Sequence, residues 1–550
     1  MLLDLEDPSS PLQFTCDVCI VGAGPAGITI AEELCGSGLR VCLAEAGGWR
    51  EEEGTHALYA GRSVGHPMDL TAGRHRLFGG SASNWGGRCA ELDPIDFEAR
   101  SWVAHSGWPI GPAELDPYYE RAKVAGNFKD RWEDDAAGLG SIGRTVPDFG
   151  SDEVLPYVWR SASRDMPITW RSALKFGYGP RFDWGQSYRD VLVADRETFV
   201  VLHANLITVS PSDDGSVLEE ATFRSLNGHG LVVRAKTFVL CCSGVENARI
   251  ALNLPEPLRA RLDPSGNLGR YFAQHPRGRI LSVNTSKEQG RRLQKTFNIF
   301  ARPPRFAVQY ELGFALSEAA QRRHEVLNAS AAFYYFARET SAWAAARRLR
   351  ARLRARELSA AALSDVATLA RGSGTALQDA YKKYVSGFEL MIPDPLAEVH
   401  IDLEQQPDPE SRIRLDTVTD ALGIPRVVVD WRISELERKT ARVFAEGIGR
   451  VLERLDLGKP VLADWLTSNE PIREEDLHGN YHFIGATRMA ADPAEGVVDA
   501  DCRAFGLGNL FFAGASVFPT GGHANPTLTI VALAIRLADH LRAELAPSGR

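Results

Sequence analysis

Residues 17–48, DVCIVGAGPAGITIAEELCGSGLRVCLAEAGG, run through an apolar strand, a glycine turn, a helix, a second apolar strand and an acid. This is the order of a βαβ unit that holds a dinucleotide. Gly22 allows the tight turn, Gly24 lets backbone N–H groups approach a pyrophosphate, and Gly27 lets the helix pack close to the strand. Ala23, Pro25 and Ala26 complete the turn. The helix that follows faces the phosphates with its free N–H groups and the positive end of its dipole. Glu45 stands 18 positions after Gly27, at the end of the second strand, with Ala46 beside it. There a carboxylate accepts from ribose hydroxyls. A glycine-rich loop without a ligand needs neither the flanking strands nor an acid at that distance.

The 550 residues allow several domains or one large enzyme, and 44% hydrophobic residues are ample for a core. With 71 acids against 62 bases and a net charge of -9, the chain carries no basic footprint for nucleic acid or an anionic membrane. The opening MLLDLEDP lacks the basic and long apolar regions of a secretory signal, and no run of about 18 apolar residues follows. A soluble, cytoplasmic protein with no transmembrane segment is expected. The eight cysteines show no zinc spacing beyond Cys16 and Cys19. Those two lie three apart on the first strand and point to opposite faces, so no metal site is expected there. Free thiols suit a reducing compartment.

Strand-like and helix-like runs alternate near both ends of the chain, as in an α/β sheet covered by helices. Residues 101–189 are rich in Trp, Tyr, Pro and Asp with few long periodic segments, whereas 306–334 and 388–432 contain β-like alternation. The pattern predicts an α/β, Rossmann-like domain from 1–100, 190–280 and 475–550. An α+β domain on an antiparallel sheet, from 101–189 and 281–474, is inserted into it. Residues 199–209 and 236–242 read as buried strands of the first domain. Residues 341–371 form an Ala/Arg-rich helical excursion, with six arginines between Arg347 and Arg356 and apolar Trp343, Ala346, Leu349 and Leu353 on one face. It reads as a solvated helix packed by a narrow stripe.

Three further segments carry more specific information: 74–88 (RHRLFGGSASNWGGR), 480–489 (NYHFIGATRM) and 514–530 (GASVFPTGGHANPTLTI). Together with the N-terminal unit they resemble, in order and position, the glucose-methanol-choline (GMC) family of FAD-dependent oxidoreductases. Segments 202–209 (LHANLITV), 240–249 (LCCSGVENAR) and 269–276 (GRYFAQHP) resemble the family's adenine-side strand, its second flavin-side turn and the lead into its substrate domain. The 246–249 turn, the stretch 404–412 (EQQPDPESR) and the final segment look most like the bacterial branch near pyranose oxidases, glycoside 3-oxidases and sugar dehydrogenases.

The resemblance implies FAD-dependent oxidation of a CH–OH group, on a sugar, glycoside or other polyol. Gly79, Gly80, Ser81, Asn84, Trp85 and Gly86 would line the flavin from the second loop, Leu206 from the adenine side, and Cys242 and Ser243 from the second turn. Gly514 and Ala515 would do so from the last segment, with Pro526 and Thr527 at the pyrimidine end; Gly514 departs from the acid that many relatives carry. Some relatives bind FAD covalently through a histidine where Asn84 stands, so non-covalent FAD is expected. Alcohol oxidation removes a hydride from carbon and a proton from oxygen, and a neutral histidine suits the second task. His482 occupies the family's base position, with Ala486 in place of the usual Thr. Asn525 matches the partner that orients the substrate oxygen, and His523 is the competing candidate for that role.

The expected partners are a small-molecule alcohol or carbohydrate and an electron acceptor: oxygen, a quinone or a redox protein. A homo-oligomer or a small accessory subunit stays open. The alternatives are a GMC-fold lyase that cleaves cyanohydrins, an oxidoreductase for a non-sugar alcohol, and a dinucleotide-binding protein without catalysis.

Overall fold

The computed structural model describes residues 1–128, 135–167, 181–301, 305–336, 345, 348–352, 360–371, 392 and 394–546. The strand Gln13–Val21, the helix Pro25–Leu34 and the strand Val41–Ala44 form as the glycine turn predicts. They lie in an eight-stranded sheet ordered Leu2–Asp4, Thr198–Leu202, Val41–Ala44, Gln13–Val21, Gly230–Leu240, Leu218–Arg224, Asn205–Pro211, with Leu510–Phe512 pairing onto Gly230–Leu240. The pairs from Leu2–Asp4 through Gly230–Leu240 are parallel, and the last two are antiparallel. Val18, Cys19, Ile20, Val41, Cys42 and Leu43 have no exposed surface, as expected of parallel strands covered on both faces. The register sets Val21 beside Ala44 and Leu240. Gly22, Glu45 and Cys241 therefore emerge together at the carboxyl edge, where open α/β sheets bind ligands.

A nine-stranded, wholly antiparallel sheet runs Lys459–Leu462, Pro276–Asn284, Leu396–Leu403, Ala329–Phe336, Arg305–Leu316, Val154–Pro167, Arg88–Cys89, with Ile299–Ala301 and His478–Gly479 as side strands. Arg88–Cys89 pairs at one edge with Val154–Pro167, and His478–Gly479 pairs with Pro276–Asn284, so the segments that carry the Gly79–Gly80 loop and His482 both join this sheet. A third sheet joins Arg62–Gly65 in parallel to Pro425–Trp431, which pairs with Arg412–Thr419. The helix Thr527–Leu545 packs on Pro25–Leu34 and on Pro112–Ala125, bringing the last segment of the chain back to the first turn.

Two expectations change in detail, and a third falls partly outside the described residues. The single strand read over 199–209 is two strands, because His203 takes φ 54° and the chain turns to give Ala204 N–H to the Glu45 carbonyl at 2.8 Å. Residues 101–189, read as weakly periodic, contain the helix Pro112–Ala125 and the 14-residue strand Val154–Pro167. The helix buries only Leu115, Tyr119, Ala122 and the stem of Lys123, too sparse a stripe to stand out among its Tyr and Pro residues. Of the excursion at 341–371, residues 341–344, 346, 347 and 353–359 lie outside the described residues. The described part holds the helix Ala360–Arg371, whose Asp365 pairs with Arg348 at 2.7 Å and Arg352 at 3.5 Å.

Candidate active site

One cavity of about 610 Å³ extends from Gly22 and Gly24 to His482 and Asn525. At its first end Gly22 takes φ 103°, and a side chain there would meet the Cys241 carbonyl at 2.8 Å. Only glycine satisfies both the angle and the space. Gly24 caps the helix without a side-chain bond, and a Cβ on it would touch nothing within 4 Å, so its open side belongs to the cavity. Gly27 faces the other way: a Cβ on it would lie 2.0 Å from the Gly22 carbonyl oxygen. Ala23, Gly27 and Gly79 lie behind the wall, bracing it; Gly79 N–H donates to the Ala23 carbonyl at 2.8 Å.

Glu45 is buried at the floor of this end. Its oxygens accept from Ala23 N–H at 2.8 Å and Gly47 N–H at 3.1 Å. Burial outweighs these bonds and pushes its pKa up to about 7. Beside it, Arg76 gives Nη1 to Asn205 at 3.1 Å and Nη2 to Glu246 at 2.8 Å, while its Nε has no partner among the described residues. An unpaired buried donor in the cavity wall, an open glycine cradle, a helix N-terminus and a carboxylate are what a dinucleotide needs, so the residues fit FAD. Glu246 also accepts from Arg74 and Arg249, and this cluster holds it down at about 2 against the effect of burial. The sequence shows these residues in the 74–88 and 240–249 segments, but their charge pairing crosses about 170 positions and leaves no local signal.

The expected flavin neighbours Pro25, Ala26, Ala46, Gly80, Ser81, Asn84, Trp85, Gly86, Leu206, Cys242, Ser243, Gly514, Ala515, Pro526 and Thr527 all line the cavity. At the far end the half-buried His482 presents Nε2 to the Asn525 amide at 3.5 Å. Its Nδ1 lies 2.8 Å from Nδ1 of the buried His275, whose Nε2 reaches the Gly521 carbonyl at 3.3 Å. In the sequence His275 lies in the segment 269–276, which resembles the lead into the substrate domain and carries no local sign of this contact. Loss of water, followed by the neighbouring His275, holds His482 well below its ordinary pKa; burial takes His275 down to about 4. Both imidazoles are therefore neutral at neutral pH, and a neutral imidazole beside an amide can accept a proton from a bound hydroxyl.

His523 is placed differently. It is 2% exposed, does not line the cavity, pairs through Nε2 with Asp93 at 3.2 Å and packs edge-on against Tyr157. Burial disfavours its charge, but Asp93 raises its pKa above the ordinary value. The chain turns across Ala524 so that His523 faces inward and Asn525 faces the cavity.

The wall near His482 is polar. Arg277 makes a two-pronged pair with Asp402 at 2.7 and 2.8 Å, Arg88 bonds Glu311 at 2.5 Å, and Asn480 donates to Asp402 at 3.2 Å. Burial pushes the Asp402 carboxyl up, but Arg277 and Arg88 hold it well below the usual carboxylate range. Arg88, Arg277, Tyr334 and Asn480 all border the cavity.

Comparison with known proteins agrees with this arrangement. Residues 15–63 match a model described as an FAD binding domain, and residues 407–534 match one described as GMC oxidoreductase. A 149-residue stretch is 30% identical to the fructose dehydrogenase large subunit of Gluconobacter japonicus, covering 27% of this chain and 25% of that one. The 2-methyl-1,2-propanediol dehydrogenase of Mycolicibacterium austroafricanum is 23% identical over 96% of this chain and 95% of its own. Pyridoxine 4-oxidase from Mesorbium loti superposes with a TM-score of 0.53 at 16% identity, over 96% of this chain and 99% of that one, which shows a shared fold. The N-terminal match holds the pyrophosphate turn and Glu45, the C-terminal match holds His482 and Asn525, the fold brings the two to one cavity, and the chain is similar to an FAD binding domain in the first segment and to GMC oxidoreductases in the second.

Proposed function

We propose that the protein oxidises a CH–OH group of a sugar, glycoside or other polyol, with His482 as the general base, Asn525 orienting the substrate oxygen and His523 supporting the loop from behind. The observation that carries this reading is the neutral His482 Nε2 facing the Asn525 amide at the end of the cavity that starts at the dinucleotide turn. FAD, when bound, supplies the acceptor for the substrate hydride. His482 Nε2 takes the hydroxyl proton, and the amide donor of Asn525 stabilises negative charge as it grows on oxygen. The polar groups of Arg88, Arg277, Tyr334 and Asn480 suit a ligand with several hydroxyls, because each unpaired polar contact would penalise an apolar one. The fructose in the name of one relative supports the sugar class, and the small diol in the name of another supports a second reading, a non-sugar alcohol.

The deciding experiment is an anaerobic screen of sugars, glycosides, cyclitols and simple alcohols. Bleaching of the visible flavin band identifies a substrate. A cyanohydrin cleaved with no bleaching by any alcohol would overturn the oxidoreductase reading in favour of a lyase. Repeating the screen with oxygen, a quinone and a redox protein then identifies the acceptor. The proposed division, 1–100, 190–280 and 475–550 against 101–189 and 281–474, assigns most strands of each large sheet to one domain, while Arg88–Cys89 and His478–Gly479 cross it. No helix among the described residues is long and apolar enough to cross a membrane, and the eight free cysteines support a cytoplasmic location.

Two predictions concern the cofactor. FAD is held without a covalent bond, because asparagine at position 84 has no nucleophile to offer. Heat or acid precipitation should release intact FAD to the supernatant. Flavin retained in the pellet would reject this and point to another cavity-lining nucleophile such as His75. Glu45→Ala should weaken FAD binding by about 1.5–3 kcal/mol, the loss of hydrogen bonds to a charged group, and excess FAD should restore the flavin content. An unchanged dissociation constant would remove Glu45 from the site.

A further inference from the structure

The geometry points to His275 as a positioning residue that fixes the tautomer of His482, using the Gly521 carbonyl as the reference that sets the proton order. This rests on the reading of His482 as the base. A carbonyl oxygen only accepts, so the ring nitrogen of His275 that meets it, Nε2 at 3.3 Å, carries the hydrogen. His275 is buried and neutral, so its other nitrogen, Nδ1, has a lone pair and no hydrogen. That lone pair lies 2.8 Å from His482 Nδ1. Two lone pairs cannot share this distance, so His482 Nδ1 carries a hydrogen and donates it. Its Nε2 is thereby left as the unprotonated nitrogen, aimed at Asn525 and the cavity.

The opposite order fails at one place. If His275 donated from Nδ1, its Nε2 would turn a lone pair on the Gly521 oxygen, and His482 would present an N–H to the cavity, where it could not receive a proton. The reference carbonyl is well fixed: a Cβ on Gly521 would lie 2.6 Å from Ile484 and 3.1 Å from His275 Nε2, so the backbone fits closely against both. Gly521 belongs to the loop that ends at Asn525. One loop thus supplies both the group that sets the proton on the far side of His482 and the amide that faces its near side.

The test reads the tautomer directly. Holoprotein labelled with 15N-histidine is compared with the His482→Gln variant, so that the difference assigns the two His482 nitrogens with no substrate present. The expected wild-type spectrum shows a protonated Nδ1 and an unprotonated Nε2; a protonated Nε2 would overturn the proposal. His275→Phe removes the acceptor and should convert His482 to a mixture of tautomers, with FAD content kept. Anaerobic flavin reduction by substrate should fall at least about tenfold with little change in apparent substrate affinity; loss of the correct histidine tautomer in a serine-protease triad costs about 10⁴. His275→Gln, whose amide oxygen can accept from Nδ1, should restore both the spectrum and most of the rate. An unchanged His482 tautomer in His275→Phe would also overturn the proposal. If the tautomer is as expected and no alcohol reduces the flavin, the failure lies with the proposed reaction and not with the role of His275.

Discussion

His482→Ala is expected to retain FAD and to lower the rate constant of anaerobic flavin reduction by about 10² to 10⁴, the usual contribution of a positioned general base. The ring stands at the end of the cavity away from the dinucleotide turn, so its removal leaves Glu45, Arg76 and the glycine cradle in place. Single-turnover reduction is the proper measurement, because turnover can be limited by reoxidation or product release. Asn525→Ala should slow the same step by a smaller factor. His523→Ala should act on stability and apparent substrate affinity, since its ring contacts Asp93 and Tyr157 and not the cavity. Near-normal reduction in the His482 variant with a crippled His523 variant would reverse the assignment.

The pH dependence follows from the same environment. Water exclusion, His275 and then the cations of Arg277 and Arg88 depress the His482 pKa, and Asp402 opposes them. His482 is already neutral at the unperturbed value of about 6.5, so with His482 as the proposed base reduction should be insensitive to this group above that pH and fall only on acidification below it. The stability linkage has the same sign. A histidine with a depressed folded pKa binds fewer protons folded than unfolded, so its contribution is present above about 6.5 and is lost as pH falls, for His275 toward about 4.

The largest stability effect is expected at Arg100 and Glu404. Their side chains are fully buried, with Nη1 to Oε2 at 2.8 Å and Nη2 to Oε1 at 2.5 Å. Removing one partner leaves the other charge stranded, so Arg100→Met should cost about 3–5 kcal/mol. The double variant Arg100→Met/Glu404→Leu should recover much of that, because the charge to be buried is gone as well. Thermal unfolding of the FAD-loaded proteins gives the order directly; a single variant as stable as the double one would show that the pair is not dry.

This pair matters beyond stability. Glu404 also accepts from Asn328 N–H at 2.9 Å, and the Asn328 amide bonds Asp93 at 3.0 Å and Asp96 at 2.9 Å. Asp93 holds His523, while the Asp96 backbone holds Thr520, whose hydroxyl also receives Trp108 Nε1–H. The network grips the 520–525 loop from behind, so Arg100→Met should also raise the apparent substrate constant.

The sequence by itself determined what local geometry can encode. The turn at Gly22, Gly24 and Gly27 and the acid at Glu45 are set by strand and helix periods, so their spacing alone states how they will be arranged. His482 and Asn525 were legible because each lies in a short segment with a family pattern. Tertiary structure decided which side chains meet across long separations. His275 and His482 are 207 positions apart, Arg100 and Glu404 304 apart, and Arg74 and Glu246 172 apart. No periodicity links such positions, because their contact is set by how two sheets and a returning helix pack. It also set His523 and Asn525 apart. Both belong to one loop two residues apart, and only the path of the backbone against Asp93 and Tyr157 turns the histidine into the protein and leaves the asparagine facing the cavity.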